Sequence, residues 1–196
     1  MFTFPAYRRP EPVLAGPRVT LRLPRRGDFR QWAQLRRESR AFLTPWEPRW
    51  TSDELELGAW RERLRRYRRE FNSGASIPFL IFDNKSGALI GGITLSNIRY
   101  GVAQTASVGY WVGERHAGKG FMVEALKLVV DHGFDTLRLH RLEAACIPDN
   151  NRSVRVLEKA GFTREGLLHS YLKINGIWQD HYLYARVADG RQPARQ

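Results

Sequence analysis

The chain has 196 residues and a single cysteine, which excludes an intramolecular disulfide framework and a cysteine-rich zinc module. Apolar residues make up 42% and charged residues 27%, a globular balance, and no apolar run approaches the roughly 20 residues that cross a bilayer. Lys and Arg number 32 against 20 Asp and Glu, a net charge of +12, and 17 of the arginines fall in residues 1–70. That imbalance favours contact with a polyanion such as RNA.

The first 18 residues hold no contiguous apolar signal core, so the cytoplasm is the expected location and no membrane is implicated. Residues 1–17 read as an extension, 18–187 as one domain and 188–196 as a flexible tail. Val19–Leu23 alternates apolar and polar side chains as a half-buried strand does. Asp28 is placed to cap a helix carrying Trp32 and Leu35. Beyond the break at Pro45 and Pro48, a helix over Asp53–Phe71 has an apolar stripe of Leu55, Ala59, Trp60, Leu64, Tyr67 and Phe71. Arg61, Arg65, Arg68 and Arg69 occupy its opposite face.

The period then changes. Ile77–Phe82, Leu89–Leu95 and Thr105–Val112 read as strands, followed by a helix from Gly120 to Phe134 and a strand from Arg141 to Cys146. A short helix from Asn151 ends at Ala160-Gly161, and two last strands flank Asn175-Gly176, a hairpin pair. The order β-α-α-β-β-β-α-β-α-β-β predicts an α/β (α+β) domain, a mixed central sheet flanked by helices.

The segment Tyr110-Trp111-Val112-Gly113-Glu114-Arg115-His116-Ala117-Gly118-Lys119-Gly120-Phe121 carries the sharpest local chemistry. A strand runs into a glycine-bearing turn and then a helix, whose first free amides suit the oxygens of a pyrophosphate. No Gly-Lys-Ser/Thr ending supplies a magnesium ligand, so it is not a Walker motif. An ordinary tight βα connection is the competing reading. The histidines show no metal-ligand spacing, and Cys146 reads as packed at a strand end.

Arg115-His116-Ala117-Gly118-Lys119-Gly120 resembles the R/Q-x-x-G-x-G/A signature of the GNAT N-acetyltransferases. The resemblance runs on through Pro148-Asp149-Asn150-Asn151-Arg152-Ser153 and Glu158-Lys159-Ala160-Gly161-Phe162. Pro45-Trp46 and Gly176-Ile177-Trp178-Gln179-Asp180-His181 are similar to the RimJ/RimL branch, acetyltransferases of ribosomal-protein α-amines. The resemblance implies a GNAT fold with a splayed central strand pair and acetyl-CoA as co-substrate, with no metal. It places the cofactor against Trp111, Val112, Arg115, His116, Ala117, Gly118, Lys119, Gly120, Phe121, Asn150 and Ser153. It implies as activity the acetylation of an N-terminal alanine of a ribosomal protein. The alternatives are a small-amine or antibiotic acetyltransferase and a non-catalytic RNA- or ribosome-binding assembly factor.

Acyl transfer from a thioester needs an aligned neutral amine and a proton for the departing sulfur. Ser153 is the candidate acid, since the tyrosine that many family members carry four residues before the helix-ending glycine is Leu157 here. Asn150 or Asn151 capping the helix is the plainer account of that cluster. Glu143 is the candidate base, with a salt bridge as its competing role. Tyr171, Asn175, Trp178, Gln179, Asp180, His181 and Tyr184 are expected to line the acceptor cleft, Tyr171, Trp178 and Asp180 foremost, unless Trp178 and Tyr184 only pack across the hairpin and Asp180 pairs with an arginine.

Overall fold

A computed structural model describes residues 10–188. Strands β1 (Val13–Ala15) and β2 (Val19–Arg22) open the fold, with Val19 and Leu21 fully buried and Thr20 and Arg22 facing outward. β1 lies in the segment read as an extension. Three residues are too few to show a period, and Leu14 is held by pairing with Leu21. Asp28 caps backward rather than forward. Its carboxylate accepts from the Arg25 N–H at 2.7 Å and from the Arg22 guanidinium at 2.6 and 2.9 Å, ahead of α1 (Phe29–Glu38). A charged donor offers that carboxylate more than a helix amide does.

After α2 (Arg40–Leu43), helix α3 spans Leu57–Asn72 instead of starting at Asp53. Glu54 turns inward there to pair with Arg63 and Arg36. Arg61, Arg65, Arg68 and Arg69 are exposed on α3, Arg65 paired with Glu62 and Arg68 with Glu11. Strands β3 (Ile77–Asp83), β4 (Leu89–Arg99) and β5 (Thr105–Val112) follow, then α4 (Phe121–Asp131). The expected helix to Phe134 widens into a π turn at His132–Thr136. That turn lets Gly133 lie on the sheet, where an added Cβ would come within 3.0 Å of Leu142. Strand β6 (Arg141–Cys146), helix α5 (Asn151–Lys159) and the hairpin β7 (Thr163–Ile174) and β8 (Ile177–Val187) complete the chain.

The eight strands form one mixed sheet in the order β1-β2-β3-β4-β5-β6-β8-β7, with β5 and β6 its parallel neighbours. Helices α4 and α5 cover one face over a core that includes Leu126, Val129, Leu142 and Leu157. Helices α1 and α3 cover part of the other, where Trp32 and Trp60 lie with ring centroids 4.7 Å apart beside Leu80 and Leu89. β5 and β6 pair only where Thr105–Ser107 meets Arg141–Glu143. Past that point Val108–Val112 keeps its pairing to β4 but has no strand on its other edge. Among the described residues no helix is long and apolar enough to cross a membrane.

Helix α4 is clasped to β2 at its first turn. Glu124 accepts from the Arg18 N–H at 2.7 Å, the Arg18 Nε at 2.8 Å and the Val19 N–H at 3.2 Å. Burial pushes this carboxyl up, but the bonds from Arg18 and Val19 outweigh burial and hold it below its ordinary value. A depressed folded value stabilises the fold above the unfolded pKa of about 4.3, and that contribution is lost as pH falls through the folded value. Glu124→Gln should cost about 1 kcal/mol near neutral pH. Urea denaturation at a series of pH values should show the gap closing below about pH 4.

Candidate active site

Beyond β5 the chain passes through a tight turn at Glu114–His116 and then Gly118 and Gly120. Both glycines have positive φ, +75° and +82°, a conformation that side chains with a Cβ resist. The free amides of α4 open directly after them. A cavity of about 900 Å³ begins at this corner, bordered by His116, Ala117, Gly118, Gly120 and Phe121. Helix-end amides beside positive charge make an anion site.

The cations there differ from those expected. Arg115 turns to Glu38 at 3.0 Å and donates from Nε to His116 Nε2 at 3.0 Å, so its side chain leaves the cavity wall. Burial, reinforced by Arg115 and Lys119, pulls the His116 pKa below its ordinary value, so the ring is neutral at physiological pH and can accept that bond. Lys119 contributes its carbonyl to Arg18 at 3.1 Å and stays outside the wall. Arg18, Lys127, Arg152, Arg155 and Lys159 border the cavity in their place. Arg155 and Lys159 stand four residues apart on α5, a spacing that could have revealed them in the sequence.

Val112 faces this cavity, whereas the Trp111 ring packs on the opposite face of the sheet, 5.0 Å from the Arg36 guanidinium. Trp111 therefore borders the cofactor side through its backbone. The unpaired edge of Val108–Val112 offers N–H and C=O groups to an extended amide-bearing ligand. With the glycine corner and the cations, it fits a pyrophosphate joined to such an arm.

Deeper in, Asn150 caps α5 by accepting the Ser153 N–H at 3.1 Å, as the plainer reading of that pair has it. Ser153 Oγ lies 2.8 Å from Tyr110 Oη, and both residues border the cavity. Burial pushes the Tyr110 phenol far above its ordinary value, so it keeps its proton. Ser153 thus has a protonated hydroxyl behind it, across the gap between β5 and α5. Burial also pushes the Cys146 thiol up to about 11, against a bond from Ser153, which leaves it a poor nucleophile near neutral pH.

His181 belongs to the segment expected to line the acceptor cleft. It is 3% exposed and still borders the cavity, with Nδ1 2.9 Å from the Gln179 carbonyl oxygen. A carbonyl only accepts, so Nδ1 carries a proton and the lone pair of the neutral ring is on Nε2. The other expected residues stand elsewhere. Glu143 accepts from Arg141 at 2.7 Å, and Arg141 also grips Glu165. Asp180 pairs with His169 at 2.9 Å and accepts the Ser170 N–H at 2.8 Å, while Trp178 is 61% exposed. Tyr171 is exposed as well, its ring edge-on to His181 at 5.9 Å. None of these four borders the cavity. Alternation along β8 sends His181 inward and Asp180 to the facing strand, where a register shift between Leu168 and Leu172 brings His169 and Ser170 to meet it.

Gly118→Ala strains a left-handed turn at the anion corner. It should weaken coenzyme A binding about tenfold, read by titration calorimetry, with an unchanged circular-dichroism spectrum.

Residues 18–163 match the Acetyltransferase (GNAT) domain family. The chain is 40% identical over 151 residues to the probable N-acetyltransferase YjcK of Bacillus subtilis, covering 77% of this chain and 83% of that one. It is 33% identical over 186 residues to the ribosomal protein uS5-alanine N-acetyltransferase of Escherichia coli, covering 95% and 96%. The structure of Mycobacterium smegmatis RimJ in complex with CoA-disulfide superposes with a TM-score of 0.83 at 34% identity, over 97% of this chain and 93% of that one. The glycine corner, the parted strands and these likenesses agree: the chain is an enzyme of the GNAT acetyltransferase family, closely related to its RimJ/RimL-like ribosomal-protein acetyltransferases.

Proposed function

We propose that this acetyl-CoA-dependent acetyltransferase modifies the N-terminal α-amine of a ribosomal protein, with alanine as the first residue. The likeness to a uS5-alanine acetyltransferase over nearly the whole of both chains supports the substrate. The observation that carries the chemistry is the placing of Ser153, Tyr110 and His181 on one cavity that begins at the glycine corner.

Acetyl-CoA, when bound, supplies the acyl group as an activated thioester. The residues of the chain do the rest. Gly118, Gly120 and the first amides of α4 hold the pyrophosphate, with Arg18 and Lys127 beside them. The bare edge of β5 aligns the arm and points its end toward Ser153. An α-amine has a reference pKa near 8, so only a modest pull makes it neutral. His181 Nε2 takes that proton, since Nδ1 is already committed to Gln179. Ser153 Oγ gives a proton to the departing sulfur and is backed by the Tyr110 hydroxyl. Glu143, held by Arg141, has no part in this scheme.

An assay with acetyl-CoA against intact ribosomal proteins, their N-terminal peptides and free small amines, read by mass localisation of the acetyl group, tests the substrate. Acetylation of the α-amine is expected. Modification of lysine side chains or of free small amines alone would overturn the proposal. With the peptide substrate saturating, Ser153→Ala and His181→Asn should each lower kcat by about 10²-fold, and asparagine keeps a donor for the Gln179 carbonyl. Unchanged kcat in either variant would remove that residue from its role.

A further inference from the structure

Beyond the bare edge of β5, the cavity that begins at the glycine corner is lined by two helices, α4 and α5. Gly120, Val123 and Lys127 border it in steps of three and four residues along α4, and Arg152, Val156 and Lys159 do the same along α5. That spacing keeps each set on one side of its helix. Seven residues of α-helix rise about 10 Å, so each stripe reaches two turns past its first residue. The first turns serve the anion corner and Ser153. The lower turns of α5 have no part in the scheme above, yet they carry charge.

Arg155 and Lys159 stand one turn apart there, both exposed and both on the cavity wall. Among the described residues neither has an ion pair or a side-chain hydrogen bond. Glu158, next to Lys159, lies 3.4 Å from the Tyr184 hydroxyl, and Glu124 across the cavity is taken by Arg18. Arg152 leans on the Phe42 ring at 4.9 Å. Beside the two free cations Val156 is half-buried, and Val123 is half-buried on the facing helix. Valines next to unpaired cations suit a nucleoside that bears a phosphate, the base on the apolar surface and the phosphate on the charges. Coenzyme A brings such a group. Apart from its pyrophosphate it carries a phosphate on the 3′ oxygen of the ribose. A phosphomonoester of this kind bears about −1.5 to −2 at pH 7.

We propose that Arg155 and Lys159 bind the 3′-phosphate of the coenzyme, with its adenine against Val123 and Val156, and so make the enzyme selective among acyl donors. A donor that brings the same arm without that phosphate, such as a dephospho-coenzyme or an arm tethered to a carrier protein, leaves both cations unanswered. The glycine corner does not make this distinction, because its amides meet the pyrophosphate and the dephospho-coenzyme has the same pyrophosphate. Each cation is exposed, so water and salt screen its contact, and the pair together gives about a tenfold preference. The assignment rests on the pyrophosphate lying at the glycine corner and is independent of which amine accepts the acetyl group.

The test is titration calorimetry of coenzyme A and of 3′-dephospho-coenzyme A, at about 0.1 M salt, against the wild type, the double variant Arg155→Gln/Lys159→Gln, and Arg61→Gln. The wild type should bind coenzyme A about tenfold more tightly than the dephospho form. The double variant should lose about tenfold in affinity for coenzyme A and stay within about twofold for the dephospho form, which also shows that it is folded. Arg61→Gln removes a charge from the exposed face of α3 and should change neither affinity. Equal affinities of the wild type for the two ligands overturn the assignment. So does a double variant that weakens both ligands alike, or a loss with Arg61→Gln as large as the double variant's, since either is an effect of overall charge. A wild type that binds neither ligand overturns the acetyl-CoA reading and this assignment with it.

Discussion

The whole arrangement depends on the parting of β5 from β6. Two parallel strands that stayed paired along their length would satisfy every edge group and leave no opening in the sheet. Here they share three residue pairs and separate, so Val108–Val112 is supported by β4 alone. The freed edge becomes a binding surface, and alternation along the strand gives it two working faces. Tyr110 and Val112 look toward α4 and α5, and Gly109 and Trp111 toward α1 and α3. A strand of eight residues thereby presents a different lining to each face of the sheet.

The same parting explains the hydroxyl pair. Tyr110 spans the gap to Ser153 and is the tie between β5 and the start of α5. Burial keeps that phenol protonated, so the tie also holds a proton in reserve beside the cavity. His181 comes from the far side of the sheet, oriented by the backbone of its own strand. In the proposed scheme the two proton-handling groups come from separate elements, an arrangement that keeps acid and base functions distinct.

Local signals were legible and long-range pairings were not. The positive-φ glycines, the Asn150 cap and the strand and helix order follow from spacing within a few residues. Arg115 shows where such reading stops: it stands in the motif, but Glu38 on α1 draws it away, and Arg18, just before β2, takes up position at the corner. No sequence period connects residues a hundred positions apart. The ion pairs that join Glu47, Arg36, Glu54 and Arg63 are invisible for the same reason, since Glu47 sits in a proline-broken loop while Arg36 and Arg63 sit on two helices. At the hairpin the sequence marked a whole segment, and only the pleat of β8 separates His181, which is buried, from Trp178, which is exposed.

The most direct measurement is a crystal structure with a bisubstrate ligand, coenzyme A joined through an acetyl bridge on sulfur to the α-amine of an alanine-initiated peptide. The expected result is the coenzyme arm along the bare edge of β5, its sulfur beside Ser153 and the α-nitrogen within reach of His181. A sulfur lying away from Ser153, or an arm that does not follow the edge of Val108–Val112, would contradict it.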